Sequence, residues 1–279
     1  MKRFPKKRVV ITGAGSGLGR AMSLEFAKLG WNVCVSDINA ERAKETERLV
    51  TLQGGTPLVI GCDVTRPEQL ESLAAELKKK WGGVDIVINN AGVAAAGFME
   101  KIRLETWDWI ITLNLKSVIY GCRAFIPLLE AQGGGHIVNV ASNAGIASLP
   151  EMACYNVTKA GVISLSETLR AELTPKKIGV SVVAPTFFKT NLMDQFTSPD
   201  PRQRQMANAF FNKSSVTSED VARHVIRAVK KNQLYVITQW DGKLAWFCKR
   251  LTPEIYFKVL GWIYKKGLGD RYLGMPKAA

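Results

Sequence analysis

The chain has 279 residues, 47% of them hydrophobic, and its 38 lysines and arginines outnumber 24 acidic residues for a net charge of +14. That apolar share fills one large α/β core, and no uninterrupted apolar run reaches the roughly 20 residues of a membrane-spanning helix. Five scattered cysteines with no C-x-x-C pair, and only two histidines (His136 and His224), argue against a disulfide framework or a zinc cluster and for a reducing, cytoplasmic setting.

The charge is concentrated at the ends. Residues 1–8 hold five basic and no acidic side chains, residues 200–279 hold fifteen basic against six acidic, and the stretch between is neutral. The first seven residues read as a basic segment without the apolar core of a secretory signal. "RVVITG" (8–13) is a short β-branched run ending at glycine, the pattern of a buried parallel strand. A helical pattern follows to Leu29 and Gly30, then a strand "NVCVSD", a charged helix from Ala40 to about Gln53, and a strand "PLVIGCDV". Next come a helix over Pro67–Trp81, a strand "VDIVINNAG", a long helix predicted over Trp107–Leu129, and a strand "GHIVNVAS". The last elements are a helix from Cys154 to Leu173, a strand "GVSVVAP", and an edge strand in "QLYVITQ" (233–239). Alternating strands and helices predict a single doubly wound, Rossmann-type α/β domain over residues 8–240 with about seven parallel strands. Residues 241–279 are left as a basic, amphipathic extension.

Directly after the first strand, "TGAGSGLG" (12–19) opens a helix. Gly13 permits a tight turn, Gly17 lets backbone approach a pyrophosphate, and Gly19 lets the helix pack against the sheet, with the anion on free N–H groups at the helix start. Asp37 ends the second strand about 20 residues further on. A carboxylate there accepts from both ribose hydroxyls of an adenosine and repels a 2′-phosphate, which favours NAD over NADP, since no lysine or arginine sits in the loop or immediately after Asp37. As N-cap of the next helix, Asp37 would suit either cofactor. Tyr155 and Lys159 are four apart and share a helix face.

The glycine spacing, "NNAG" at 89–92, Asn114, Ser142 and Tyr155-x-x-x-Lys159, in this order, resemble the classical short-chain dehydrogenase/reductases from about residue 8 to 240. The resemblance implies an oxidoreductase acting on alcohol and carbonyl groups, assembled as a homodimer or homotetramer. It implies a cofactor site of Gly13, Ser16, Gly17, Leu18, Gly19, Asp37, Asp63, Val64, Asn90, Ala91, Gly92, Tyr155, Lys159, Pro185 and Thr190, with Asp63 at the adenine and Thr190 at the carboxamide. Asp63 also reads as an N-cap in "DVTRPEQ". Tyr155 becomes the acid/base, Ser142 donates to the substrate oxygen, Lys159 binds the nicotinamide ribose, and Asn114 holds a water that relays protons to Lys159. Tyrosine's ordinary pKa near 10 is high for a base. An ammonium about 4 Å away at an effective dielectric of about 20 contributes on the order of 4 kcal/mol, which predicts a phenol lowered by up to about three units. Thr186 stands where the family usually has glycine, and a β-branched residue resists positive φ, so the loop after Pro185 is predicted to follow a different path.

Residues 187–215 are predicted to form the substrate lid. Phe187, Phe188, Met193, Phe196, Met206, Phe210 and Phe211 make either an apolar mouth for a lipophilic alcohol or ketone, or packing beneath a loop. In the tail, Ile255, Tyr256, Val259, Leu260 and Ile263 form a helical stripe beside Trp262, Tyr264, Lys258, Lys265 and Lys266. Such a helix either packs on the body or across a subunit interface, or lies on an anionic membrane surface. Nucleic acid is not expected as a partner, because the basic segments lack a reader module. A fatty acyl thioester reductase and a non-catalytic dinucleotide-binding regulator are the competing readings. Cys154, beside the tyrosine, has no role beyond packing.

Overall fold

The computed structural model describes residues 3–188, 194 and 196–273. Seven parallel strands form one sheet: β1 (Arg8–Thr12), β2 (Asn32–Asp37), β3 (Thr56–Gly61), β4 (Ile86–Asn89), β5 (Gly135–Val140), β6 (Ile178–Val183) and β7 (Tyr235–Val236), in the order β3-β2-β1-β4-β5-β6-β7. After β3 the chain crosses back to pair β4 with the free side of β1. This reversal is the topological switch point, where the crossovers diverge and leave a crevice beyond the strand ends.

The strands are buried on both sides because helices cover both faces. On β1, Val9 and Ile11 pack with α1 (Gly17–Ala27) and α9 (Ser218–Lys231), while Val10 packs on the opposite side. There it meets α3 (Pro67–Trp81), α5 (Ser117–Ala131) and α7 (Ala153–Glu172). Helix α2 (Ala40–Leu52) joins the first layer through Ala43 and Val50. Helix α9 is not among the elements read from the sequence, although its stripe of Val221, Val225 and Val229 is regular. A reciprocal Thr217–Asp220 capping box marks its start.

Several boundaries differ from the periodicity. The third strand ends at Gly61 rather than Val64, and the fourth pairs only from Ile86 to Asn89, so Asn90–Gly92 leave the sheet. The helix predicted over Trp107–Leu129 is two helices, α4 (Leu104–Ile111) and α5. They are joined by a wide turn at Thr112–Lys116 in which the Ser117 N–H reaches back to the Thr112 carbonyl. Such a turn inserts one residue into the helical repeat and re-aims the side chains after it.

The basic start of the chain is also less exposed than its composition implies. Phe4 is buried edge-on against Trp31 and His136. Arg8 is buried at the N-terminal edge of the sheet, where its guanidinium pairs with Asp85 at 3.1 Å and donates to the Trp81 carbonyl at 2.9 Å. Asp85 also accepts from the Arg8 backbone N–H at 2.8 Å, so this carboxylate clamps β1 beside the entry to β4. Removing one partner of a buried pair strands the other charge. Asp85→Ala is therefore expected to lower unfolding stability by about 3–5 kcal/mol, as read from urea or guanidinium denaturation.

Candidate active site

The strand ends β1 to β6 open into one cleft of about 650 Å³. At one end lies the glycine loop. Gly13 holds φ +63°, and a Cβ on Gly19 would lie 2.1 Å from the Gly13 carbonyl and 2.7 Å from the Asn90 amide, so only glycine fits where α1 leaves the turn. Asn90 Nδ2 donates to the carbonyls of Thr12 (2.8 Å) and Gly13 (3.2 Å), and the Thr12 hydroxyl accepts from the N–H groups of Asn90 and Ala91. Ser16 caps α1 in an extended conformation without bonding its side chain to the backbone, and the first turn has no acidic residue. The N–H groups at the start of α1 therefore remain available to an anion.

Asp37 reaches the same cleft. Its two oxygens accept from the N–H groups of Gly15 and Asn39, each at 2.8 Å, and the N-cap of α2 is Asn39, not Asp37. Asp63 accepts from the N–H and hydroxyl of Thr65, and α3 is capped at Arg66 ahead of Pro67, so Asp63 is not a cap either. Both carboxylates line the cleft, as do Ser16, Gly17, Leu18, Val64, Ala91, Gly92 and Pro185. Thr190 and Met193 lie outside the described residues. Thr186 keeps a negative φ, so the β-branched residue costs no strain there. Its N–H donates to Gln239 Oε1 at 3.0 Å and its hydroxyl to Asp241 at 3.3 Å, which tethers the loop to the start of the distant helix α10 (Trp240–Leu251).

Ser142, Tyr155 and Lys159 converge at the other end. The Ser142 Oγ accepts from the Ala144 N–H at 3.1 Å. Lys159 is buried, donates to the Val140 carbonyl at 3.0 Å, and stands 5.7 Å from the centre of the Tyr155 ring. The phenol is not lowered as the four-residue spacing predicts. Burial pushes it up to about 12, with the Ser142 hydroxyl working the other way, and burial brings Lys159 down to about 8. Desolvation, which disfavours the charged form of each group, dominates both.

Asn114 sits behind the cleft in the wide turn, fully buried. Its Oδ1 accepts from the Val93 N–H at 2.8 Å and its Nδ2 donates to the Val93 carbonyl at 2.9 Å. A solvent-facing helical asparagine is thereby ruled out. Gly92 brings this pair near the lysine: a Cβ there would lie 3.0 Å from Asn114 Oδ1 and 3.5 Å from Lys159 Nζ.

The aromatic residues of 187–215 serve both roles. Phe187, Phe188, Phe196 and Phe211 line the cleft, Phe188 and Phe196 while also buried in core clusters, and Phe187 stacks on Phe210 at 4.6 Å. Cys154 is wholly buried in the cluster that holds Tyr155. Three groups hold roles that were not legible in sequence. Arg42, in the first turn of α2, lines the cleft and pairs with Asp194 at 3.2 Å. Glu151, just before α7, receives both Arg202 (2.7 Å) and Gln203 (2.6 Å) from α8 (Pro201–Lys213). Tyr256, on α11 (Pro253–Lys265), donates to the Ala147 carbonyl at 3.0 Å and forms part of the cleft wall. Of the three, only Tyr256 is singled out in the sequence, in the stripe of a helix that could pack on the body.

A model of the short chain dehydrogenase family matches residues 7–201. The chain belongs to this family. A solved short-chain dehydrogenase/reductase from Burkholderia phymatum, in complex with NAD, superposes with a TM-score of 0.81 at 28% identity, covering 100% of this chain and 99% of that one. The D-beta-hydroxybutyrate dehydrogenase of Rhizobium meliloti is 30% identical over 241 residues, 86% of this chain and 90% of the relative. EphD of Mycobacterium tuberculosis is 36% identical over 240 residues, 82% of this chain, but the match spans only 40% of that longer protein.

The buried amine makes a pH-dependent prediction. The folded pKa of Lys159, about 8, lies below its unfolded value of 10.5. The unfolded chain therefore holds more protons between these values, and stability from this group rises with pH across that window. Lys159→Met removes the cost of burying the charge. It is expected to be more stable than wild type below pH 8 by about 3 kcal/mol, an advantage that fades by pH 10.5 in denaturation curves.

Proposed function

We propose that the protein is an NAD(H)-dependent oxidoreductase that interconverts a lipophilic secondary or long-chain alcohol and its ketone or aldehyde. The observation that carries this is the convergence of buried Tyr155 and Lys159 with Ser142 at one end of a cleft whose other end holds the glycine loop and Asp37. The open helix start and the space kept free by glycine suit a dinucleotide pyrophosphate, and the two Asp37 oxygens suit the adenosine ribose. Ser16, Gly17 and Leu18 would hold the phosphates, and Lys159 the nicotinamide ribose. The bound cofactor supplies the hydride donor or acceptor; the chain supplies the proton path and the alignment.

In reduction, Tyr155 gives its proton to the substrate oxygen, and its raised pKa keeps it loaded at neutral pH. In oxidation the phenol first gives up its own proton to solvent, and the resulting phenolate, stabilised by the Lys159 ammonium that remains mostly charged below about pH 8, takes the alcohol proton. Ser142 donates to the same oxygen and steadies the developing alkoxide. Asn114 fixes the Val93 backbone behind the site, and the Val140 carbonyl holds Lys159.

The preference for NAD rests on Asp37, which repels a 2′-phosphate. Arg42 does not offset it, because its guanidinium is turned to Asp194. The substrate class rests on the wall around Tyr155, made by Trp109, Leu149, Met152, Phe187, Phe211 and Tyr256. The cleft's polar partners sit at the reacting end, where an alcohol oxygen would lie, and the apolar wall accepts the rest of the molecule.

Tyr155→Phe is expected to lower turnover by about 10²–10⁴-fold while leaving NADH binding, followed by fluorescence, within a few-fold of wild type; full turnover in this variant would remove the mechanism. With a series of alcohols and ketones, kcat/KM is expected to rise about fourfold per added methylene until the wall is filled. A flat response would reject the lipophilic substrate class. Asp37→Ser is expected to shift the NAD-to-NADP ratio of kcat/KM toward NADP by at least about tenfold.

A further inference from the structure

The helices α10 and α11 turn one side to the body and leave the other bare. Facing inward, Ala245 lines the cleft, Trp246 packs edge-on against Tyr235, Lys249 donates to the Ile146 carbonyl at 2.6 Å, and Tyr256 donates to Ala147. The tail is therefore docked on the loops that flank the active site. Facing outward on α10 are Trp240 (72% exposed), Leu244, Phe247 (55%) and Leu251, a four-three-four spacing that makes one continuous stripe. On α11 the outward residues are Ile255, Val259, Trp262 (56%) and Ile263, and no residue of this helix is buried. Aliphatic and aromatic side chains this large, exposed in register on two successive helices, mark an interaction surface rather than scattered surface apolarity.

We infer that this surface docks on an anionic lipid bilayer. The charge beside the stripe selects the occupant. Lys243, Arg250, Lys258, Lys265 and Lys266 are all exposed, against only Asp241 and Glu254 over the same span. A second copy docked on this face about a two-fold axis would set that basic fringe against itself. Anionic headgroups complement it, while Trp240 and Trp262 sit at the depth where aromatic rings are favoured. Helix α11, 13 residues long, spans about 20 Å and lies in the interface rather than crossing it. No helix among the described residues is long and apolar enough to cross a membrane. The same two helices wall the cleft, so the docked protein holds its cleft beside the bilayer. The docking stands on the exposed surface alone and does not depend on the proposed chemistry.

The test is flotation of the full-length protein on vesicles of phosphatidylcholine alone or with about one-third phosphatidylglycerol, with far-UV circular dichroism as the fold control. Wild type is expected to bind the anionic vesicles at least about tenfold more tightly than the neutral ones, and to be released by salt. Phe247→Glu/Trp262→Glu and Lys258→Glu/Lys265→Glu/Lys266→Glu should each stay unbound. A second measurement covers a variant that misfolds: tryptophan fluorescence of wild type should be quenched by brominated-chain phosphatidylglycerol, and much less in Trp240→Phe/Trp262→Phe, which keeps the apolar face. Failure of wild type to bind, binding by both folded Glu variants, or quenching unchanged in the Phe variant would overturn the proposal. So would sedimentation showing a wild-type dimer that the Glu variants dissociate, with no vesicle binding, which would assign the face to a second copy.

Discussion

Everything in the cleft depends on the crowding where β1 ends. The Asn90 amide bonds the carbonyls of Thr12 and Gly13, and the Thr12 hydroxyl takes the N–H groups of Asn90 and Ala91. These bonds stitch β1 to the segment leaving β4 at the switch point, and they satisfy polar backbone that would otherwise be orphaned as both strands end. Helix α1 can start there only because Gly19 presents no Cβ to the Gly13 carbonyl. With larger residues the helix start would move off the sheet edge, and its free N–H groups would no longer face the crevice. The fold and the anion-binding geometry are one packing problem with one solution.

At the far end, desolvation sets the chemistry. Tyr155 and Lys159 are both buried, and burial moves them in opposite directions, the phenol up and the amine down, so each favours its neutral form. At neutral pH the phenol is therefore neutral and the amine still mostly charged, close to its titration range. Positioning falls to the backbone: the Val140 carbonyl holds Lys159, and Asn114 holds Val93. Because α5 buries an apolar face through Cys122, Phe125 and Leu129, the wide turn before it is fixed by the core and Asn114 has no freedom to turn outward.

The C-terminal segments bind the substrate end into this frame. Arg202 on α8 bonds Glu151 and, at 2.8 Å, Asp270 on α12 (Leu268–Leu273), and the Tyr264 hydroxyl donates to Glu151 at 3.0 Å. Glu151 itself holds φ +60°, a conformation that a non-glycine residue keeps only when its surroundings over-determine it. Helix α8, the tail and the loop entering the Tyr155 helix therefore share a half-buried ion network. Movement of α8 would be felt at the start of the Tyr155 helix, and the tail is a structural wall of the cleft.

Much of this protein was legible in local sequence. The β-branched runs, the glycine spacing and the Tyr155–Lys159 interval are short-range signals, because strand burial, turn geometry and a helix face are decided within a few residues. Those signals were enough for a doubly wound parallel sheet, and the resemblance they carry pointed to positions that line the cleft. The tertiary structure decided what depends on distant partners. It broke the long helix so that Asn114 meets Val93, placed Arg42 beside Asp194, joined Glu151 to Arg202, and closed the cleft with Tyr256. It also reversed the expected shift of Tyr155, because spacing reports how near a lysine lies but only packing sets how much water the phenol loses.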